Sequence, residues 1–268
     1  MSAQHRLNRT LELVTDRGNV SIAEVAQALG VSTATVRRDL NLLAEQRLVT
    51  RTHGGAAVLG SGYELPLQYR IPRQAEAKLA IARTVAALVP PGAAVGLNGG
   101  TTTTEVARAL GASDRHGSVG VTIVTNALNI AYELSVREHV KIVVTGGVPR
   151  SRSYELVGPL VAAGLADVNL DVAVLGVDGL TARSGATTVH EGEADASRHL
   201  AAAAAGVVVA ADATKLGRTT FARMLPLDRL DTLVTDGPVP ADLAADLAGA
   251  GVEVVLAGAP PQGGTRAR

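Results

Sequence analysis

Residues 33–41 carry hydroxyl and guanidinium groups at the spacing of one face of a helix. Thr33, Arg37 and Asn41 are four residues apart, so a helix places their side chains together. Guanidinium groups bind phosphates and guanine edges, and short hydroxyl side chains reach base edges. The opposite face of the helix is apolar and can be buried; it consists of Val36, Leu40 and Leu43. The pattern predicts a helix that enters a groove of double-stranded DNA.

The elements around this helix are those of a winged helix-turn-helix. A first helix is expected over residues 5–17, and a second follows Ser21, where Glu24 three residues on completes a capping box. Gly30 ends the second helix in a position that favours left-handed backbone, and Ser32 caps the third. Residues 49–51 and 56–59 are predicted as the two strands of a wing.

The predicted DNA contacts come from the start of the third helix and from the wing. The first residues of a recognition helix reach base edges, while longer basic side chains bind phosphates. We expect the wing to reach the neighbouring backbone or the minor groove, and Asp39 to form an ion pair that orients an arginine. The predicted contact residues are Ser32, Thr33, Thr35, Arg37, Arg38, Arg51 and His53.

A second set of polar residues follows apolar strands in the remainder of the chain. Residues 98–104, Asn-Gly-Gly-Thr-Thr-Thr-Thr, follow one strand and open a helix, where free amides and hydroxyls favour an anion. Taken alone, this loop fits a threonine-capped turn equally well. Polar or glycine-rich clusters also end four other strands, at residues 125–126, 146–147, 176–179 and 212–215. In open α/β sheets the ligand crevice lies beyond the carboxyl ends of the strands, so these clusters predict one pocket.

Alternation of strands and helices predicts a mainly parallel α/β fold after residue 78. The expected strands are residues 94–97, 122–124, 141–144, 172–175, 207–210, 232–234 and 252–256, and helices are expected at 102–110, 127–135 and 241–250. The predicted organisation is a DNA-binding domain at residues 1–59, a linker at 60–74, a ligand-binding domain at 75–258 and a disordered tail at 259–268.

Composition narrows the class of protein. Lysine plus arginine and aspartate plus glutamate both number 25, so no basic coat drives nucleic-acid binding; residues 1–57 hold seven arginines against five acidic residues. The absence of cysteine excludes disulfides, thiolate metal sites and a cysteine nucleophile. No signal-like or membrane-spanning apolar run is present, which predicts a cytoplasmic protein without a membrane partner. Neither a P-loop nor a GxGxxG motif occurs, so we expect no ATP, no NAD, no other cofactor and no metal.

These motifs resemble the DeoR family of bacterial transcription regulators over nearly the whole chain. The family's S-x-x-T-[IV]-R-R-D-L pattern matches residues 32–40, and R-x-H-G-G-A matches residues 51–56. Downstream, K-x-x-I-A corresponds to residues 78–82, G-T-T to 100–102, T-N to 125–126 and D-x-x-K to 212–215. Two residues depart from the family: Arg47 stands where Gly is usual, and Asn98 where Asp is more common. Arg47 is expected either to cost backbone strain or to add a phosphate contact.

The resemblance implies a repressor whose second domain is similar to ribose-5-phosphate isomerase and senses a sugar phosphate. It also implies binding to a double-stranded operator and a role in carbohydrate metabolism. A dimer or tetramer is expected from the symmetry of DNA sites. The effector residues that the resemblance implies are Asn98, Gly100, Thr101, Thr102, Asn126, Gly147, Asp178 and Lys215. Arg150 is a further candidate for a phosphate contact, with a surface arginine as the equal alternative, and Lys215 has the alternative of a solvated loop lysine.

An enzyme remains the competing hypothesis. Isomerisation of a sugar phosphate needs a base and an acid or cation beside the reacting carbons, and Asp178 and Glu193 offer carboxylates. The resembled isomerases place a lysine between such acids, but residues 179–192 contain none; Arg183 and His190 are the basic residues there. A ligand-controlled regulator is therefore the preferred hypothesis.

Overall fold

The computed structural model describes residues 1–59, 65–71, 73–117 and 119–258. The chain divides into two compact units, Met1–Arg73 and Gln74–Arg268. Residues 60–64 of the predicted linker, and the tail predicted to be disordered, lie outside the described residues.

The first unit is a winged helix-turn-helix, as predicted. Its elements are α1 (Ala3–Arg17), β1 (Asn19–Ser21), α2 (Ile22–Leu29), α3 (Thr33–Glu45), β2 (Thr50–Thr52), β3 (Gly55–Ala57) and α4 (Leu67–Arg70). The three strands form an antiparallel sheet in the order β1-β3-β2. The first helix begins two residues earlier than expected because Ser2 caps it. The first wing strand lies one residue later than predicted, and the second begins one residue earlier and ends two residues earlier. The short helix α4 lies within the segment expected to be a linker.

Local capping positions the helices of this unit. Ser21 and Glu24 form the predicted capping box, with Ser21 N donating to Glu24 Oε2 over 2.7 Å and Glu24 N donating to Ser21 Oγ over 3.2 Å. The hydrogen bond from Ser21 N to the Glu24 carboxylate lowers the pKa of Glu24. Gly30 ends α2 with φ 64°, in the left-handed region as predicted. The helices close on an aliphatic core that includes Val14, Val36 and Leu40, each with 0% exposure.

The second unit is built on a seven-stranded, wholly parallel sheet. Its helices are α5 (Ala75–Leu88), α6 (Thr101–Ala112), α7 (Asp114–Gly117), α8 (Leu128–Leu134), α9 (Pro159–Leu165), α10 (Glu191–Ala202) and α11 (Ala241–Gly249). Its strands are β4 (Ala94–Leu97), β5 (Val121–Thr125), β6 (Val140–Val144), β7 (Val148–Pro149), β8 (Leu156–Val157), β9 (Leu170–Gly176), β10 (Gly179–Thr181), β11 (Gly185–Thr188), β12 (Ala204–Ala210), β13 (Ala222–Leu225), β14 (Thr232–Thr235) and β15 (Glu253–Leu256). The seven strands predicted from the sequence are those of the main sheet.

Strand order places a switch point at the centre of this sheet. The order is β15-β14-β12-β9-β4-β5-β6, so the chain moves outward from β4 in one direction and then returns to β9 on its other side. Ligand crevices in open α/β sheets lie at the carboxyl ends of strands at such a point. Two apolar layers flank the sheet. A hairpin of β7 and β8 and a small antiparallel sheet, β10-β11-β13, are additions that the sequence patterns did not predict.

Candidate functional site

The start of α3 presents two arginines to solvent. Arg37 and Arg38 are exposed, on the side away from the buried Val36 and Leu40, and neither pairs with an acidic residue in the described part of the chain. Thr33 is also exposed. The helix therefore offers guanidinium and hydroxyl donors for a groove without breaking an internal contact.

Ser32 and Thr35 serve the helix start itself. Ser32 Oγ accepts a hydrogen bond from Thr35 N over 3.2 Å and lies 2.9 Å from Thr35 Oγ1. This caps one of the free amides at the N-terminus of α3. Both residues thus have a structural role next to the two exposed arginines, and their contact with DNA stays a prediction.

Asp39 fixes α3 to α1. Its carboxylate is 4% exposed and accepts hydrogen bonds from Arg6 Nε over 2.6 Å and from Arg6 Nη2 over 3.1 Å. The hydrogen bond to Asp39 raises the pKa of Arg6. The expectation that Asp39 orients an arginine is confirmed, and the arginine lies on α1 rather than on α3.

The wing is a tight hairpin whose turn holds His53 in solvent. Arg51 Nη1 donates to Gly55 O over 2.6 Å, so this arginine braces the turn while its side chain stays exposed. Gly54 has φ 94°, a conformation that glycine adopts without strain. Arg47, between α3 and the wing, also has positive φ, at 55°. This left-handed backbone agrees with the strain predicted where Arg47 replaces the family's usual glycine.

Asn98 bridges the two central strands at the switch point. Asn98 Nδ2 donates to Gly176 O over 3.0 Å and to Ser197 Oγ over 3.2 Å, and Asn98 Oδ1 accepts from Gly176 N over 2.9 Å. The side chain is 4% exposed. Its amide is occupied by internal partners, so Asn98 shapes the ends of β4 and β9, and a direct ligand contact would require one of these bonds to break.

The N-terminus of α6 follows β4 with free amides. Gly100 is the N-cap, with φ 124° and no side-chain cap hydrogen bond. The hydroxyls of Thr103 and Thr104 both donate to Gly100 O, over 3.2 Å and 2.7 Å, while Thr101 is half-buried and Thr102 is 9% exposed. The first amides of a helix carry partial positive charge, so this end of α6 suits an anion.

Asp178 and Lys215 meet at the ends of β9 and β12. Lys215 Nζ lies 3.7 Å from Asp178 Oδ1, and their side chains are 28% and 23% exposed. Asp178 Oδ2 also accepts from Thr188 Oγ1 over 3.0 Å. Asp212 caps the short 3-10 helix that carries Lys215 by accepting from Thr214 N over 3.1 Å. These two residues, predicted from separate motifs, are brought together by the fold.

Two buried glutamates that were not among the predicted effector residues lie at the same edge. Glu193 is 5% exposed; it forms an ion pair with Arg150 and accepts from Thr188 Oγ1 over 3.3 Å. Glu155 is 4% exposed and accepts from Asn126 Nδ2 over 3.0 Å. Arg150 is therefore an internal ion-pair partner, which separates it from the alternative of an unpaired surface arginine.

The remaining predicted residues, Asn126 and Gly147, lie at the same edge of the sheet and have internal packing roles. Asn126 is fully buried at the end of β5 and also donates to Leu156 O over 3.0 Å. Gly147 lies one residue before β7 with φ 127°, where a Cβ would come within 2.9 Å of Val157 O. Close packing against β8 thus explains this glycine, and its contact with a ligand stays a prediction. The signal for Glu155 was absent from the sequence because no motif surrounds it, whereas Glu193 was visible only as a candidate carboxylate.

Within the described ranges, no group of three or more His, Asp or Glu residues is placed to hold a metal ion. The helices of those ranges are too short or too polar for any of them to cross a bilayer.

Comparisons with known proteins cover both units. The family model described as a DeoR-like helix-turn-helix domain matches residues 6–61, and the DeoR C terminal sensor domain matches residues 73–237. The chain is 37% identical to an HTH-type transcriptional regulator, GlpR, of Haloferax volcanii, over 95% of this chain and 98% of the relative. It is 35% identical to the glycerol-3-phosphate regulon repressor of Escherichia coli, over 90% and 93% of the two chains. Among solved structures, a ribose 5-phosphate isomerase from Methanocaldococcus jannaschii is similar at 20% identity and TM-score 0.41, covering 53% of this chain and 55% of that one.

Proposed function

Because the chain belongs to the DeoR family of transcription regulators, we propose that it is a repressor of carbohydrate-metabolism genes that a phosphorylated sugar releases from its operator. Its relatives include proteins named as transcriptional repressors. The single observation that carries the proposal is that one chain holds two exposed arginines on α3 and a separate polar site at the switch point of an α/β sheet. The protein would act in the cytoplasm.

The proposed DNA binding is supported by the positions of a few exposed arginines rather than by a high net charge. Arg37 and Arg38 are free of acidic partners in the described chain, and Arg6 is engaged by Asp39, so the arginines on α3 are the ones available to bases and phosphates. Arg51 and His53 would add backbone contacts from the wing. We propose a double-stranded operator read by two or more copies of α3, in a homo-dimer or homo-tetramer.

The ligand-binding part of the proposal is supported by the N-terminus of α6, which follows β4, and by Lys215, which follows β12. The amides that open α6 and the ammonium of Lys215 are the positive groups expected to hold a phosphate. Thr101 and Thr102 would add hydrogen bonds from the first turn of α6. The ligand would shift the DNA-binding equilibrium only through different affinities for the bound and released arrangements.

The pairing of the carboxylates favours a regulator over an isomerase. Glu193 is engaged by Arg150, and Asp178 lies beside Lys215, so each carboxylate that was considered as a catalytic base has a cation as its partner. A general base must reach the proton that it removes, and both carboxylates are directed to internal partners instead. The close relatives are regulators, which agrees with a non-enzymatic role.

An operator-release experiment tests the proposal. Selection of bound sequences from a random DNA library defines the operator, and fluorescence anisotropy then measures its Kd with and without each member of a panel of sugar and polyol phosphates. We expect at least one compound to weaken operator binding about tenfold or more, while its unphosphorylated parent has no effect. An operator Kd that no compound in the panel changes, or measurable turnover of a bound sugar phosphate, would contradict the proposal.

A further inference from the structure

The two edges of the main sheet differ in charge. β15 forms one edge and β6 the other. Residues 230–258, which include β14, α11 and β15, hold five acidic residues and no basic one, whereas residues 128–160, around β6, hold three acidic and four basic residues. Charged side chains protect an exposed strand edge from pairing with another chain. The acidic β15 edge therefore repels a second copy of itself, and the nearly balanced β6 edge does not.

Exposed apolar side chains are concentrated around β6. Seven large apolar side chains between residues 128 and 160 are exposed, against two between residues 230 and 258. Val144 lies on β6 itself, Tyr132 on α8, which packs against β6, and Leu160 on α9, where Gly164 packs on the backbone of Thr145. Helices α8 and α9 belong to opposite apolar layers, so apolar groups flank this edge on both faces of the sheet. Exposed apolar surface of this kind marks sites of protein association.

The free edge of β6 also presents backbone groups. Among the described strands, β6 pairs with β5 alone. Thr145 N donates to Thr125 O over 3.1 Å, which shows that the backbone of Thr145 faces β5. Because successive residues of a strand alternate, the amides and carbonyls of Ile142 and Val144 face away from β5. Unpaired groups along an edge are a template for another strand, so a partner that satisfies this edge is itself a strand.

We propose that two copies of this chain associate through their β6 strands, which pair in antiparallel directions about a two-fold axis and join the two seven-stranded sheets into one. This inference rests on the proposed function, because it supplies the interface of the proposed homo-oligomer. The second β6 strand satisfies the outward backbone groups, and the apolar side chains on both faces are buried beside it.

The outward-facing residues set the register of this pairing. Antiparallel strands exchange hydrogen bonds between residues whose backbone groups face each other. Full overlap of two five-residue strands places Ile142 opposite Ile142 of the second copy, and Val144 opposite Val140. Lys141 then lies opposite Val143, so the two lysines do not face each other. Pairing of β6 with the acidic β15 edge would instead join copies head to tail and leave a free edge at each end, whereas two-fold pairing closes and matches the symmetry of a DNA site.

Sedimentation velocity on the full chain without DNA tests the interface. Val144→Glu places a charge beside Val140 of the second copy twice in each dimer, and we expect the Kd of association to rise about 100-fold or more. Val254→Glu makes the same change on the opposite edge strand. The two valines are 42% and 37% exposed, so the control matches in residue type and exposure, and its Kd should equal that of the original chain.

Cross-linking tests the register independently of affinity. The chain has no cysteine, so Ile142→Cys introduces a single thiol beside the two-fold axis. Cα atoms of such a pair are about 5.5 Å apart, within the range of a disulfide. We expect a covalent dimer on a non-reducing gel after oxidation with copper phenanthroline. Val255→Cys, which is also half-buried but lies on β15, should stay monomeric on that gel.

Four results would overturn the interface: a monomeric original chain, an unchanged Kd in Val144→Glu, equal weakening by both glutamate variants, or cross-linking at both or neither of the cysteine positions. If Val144→Glu does not fold, the cysteine pair still decides the result. Operator anisotropy separates this inference from the proposed function. Ligand-controlled operator binding by a chain that associates through another surface would leave the proposed function intact, whereas a β6 dimer that binds no operator would overturn that function and retain the interface.

Discussion

The DNA-reading surface and the strand-end site are assembled in opposite ways. The predicted DNA contacts all lie between Ser32 and His53, on one helix and one hairpin, and its key arginines are exposed. The strand-end site consists of the polar residues beyond the carboxyl ends of the main strands, from Asn98 to Lys215. Its buried members, such as Asn98 and Asn126, hydrogen-bond to other segments of the fold. A surface of the first kind can change its recognition without disturbing the core. A site of the second kind couples recognition to folding.

The largest effect on stability is expected at Asn98, which joins several segments of the strand-end site. Asn98→Ala removes three hydrogen bonds between β4, β9 and α10 and leaves the Gly176 amide and carbonyl without their partner. We expect the free energy of unfolding to fall by about 3 kcal/mol, because buried groups that lose their partners cost about 1–3 kcal/mol each. Urea denaturation followed by circular dichroism measures this change.

Thr101→Ala is the matched control for that measurement. Thr101 is the first residue of α6, three residues after Asn98, and is half-buried, so its truncation should change stability by less than about 1 kcal/mol. Equal destabilisation by the two variants would mean that Asn98 does not hold the switch point together.

Arg37→Ala should weaken operator binding with little effect on stability. The side chain is exposed and pairs with no described acid, so its loss should leave stability within about 0.5 kcal/mol of the original. Operator binding should weaken by about 2 kcal/mol, or roughly 30-fold, if Arg37 contacts a base edge. Anisotropy with the selected operator measures the first effect, and thermal shift with an active ligand should show unchanged effector binding. A parallel loss of both functions would contradict the separation of the two regions.

Lys215→Ala should weaken ligand binding and leave operator binding intact. Removal of the ammonium should weaken binding of a phosphorylated ligand by about 1.5 kcal/mol, roughly tenfold, since charge-assisted hydrogen bonds are in this range. Operator affinity without ligand should not change. Lys141→Ala, an exposed lysine on β6, is the control, and a similar loss of ligand affinity in both variants would assign the effect to overall charge.

Sequence reasoning succeeded where the signal was local. The capping box of Ser21 and Glu24, the left-handed Gly30 and the seven apolar strands each depend on a few adjacent residues, and each was found. Glu155, Thr188 and Ser197 were missed because their roles come from neighbours 29, 10 and 99 residues away. The small sheet of β10, β11 and β13 was missed for a related reason: its strands read Gly-Leu-Thr, Gly-Ala-Thr-Thr and Ala-Arg-Met-Leu, without the valine-rich apolar runs of the main strands.

Acidification should affect the second unit through His116. Burial lowers the pKa of this histidine, and the charges of Arg115 and His139 act in the same direction. A histidine whose pKa is lower in the folded chain stabilises the fold above its unfolded pKa of about 6.5, and that contribution is lost as pH falls. Denaturation midpoints measured from pH 8 to pH 5 should fall more steeply in the original chain than in His116→Gln. Identical slopes would contradict this role.

The smallest effect is expected at Arg47, where one variant tests both backbone strain and DNA binding. Its left-handed backbone, with φ 55°, costs about 1 kcal/mol in a residue other than glycine, while glycine loses part of that gain to the freedom of the unfolded chain. Arg47→Gly should therefore raise stability by only about 0.5 kcal/mol. Arg47 lies beyond the C-terminal end of α3, away from Arg37 and Arg38, so we expect the salt dependence of operator binding to stay unchanged. Arg38→Ala should reduce that slope by about 1; the same reduction in Arg47→Gly would instead assign a phosphate contact to Arg47, and the strain would then be the cost of a DNA contact.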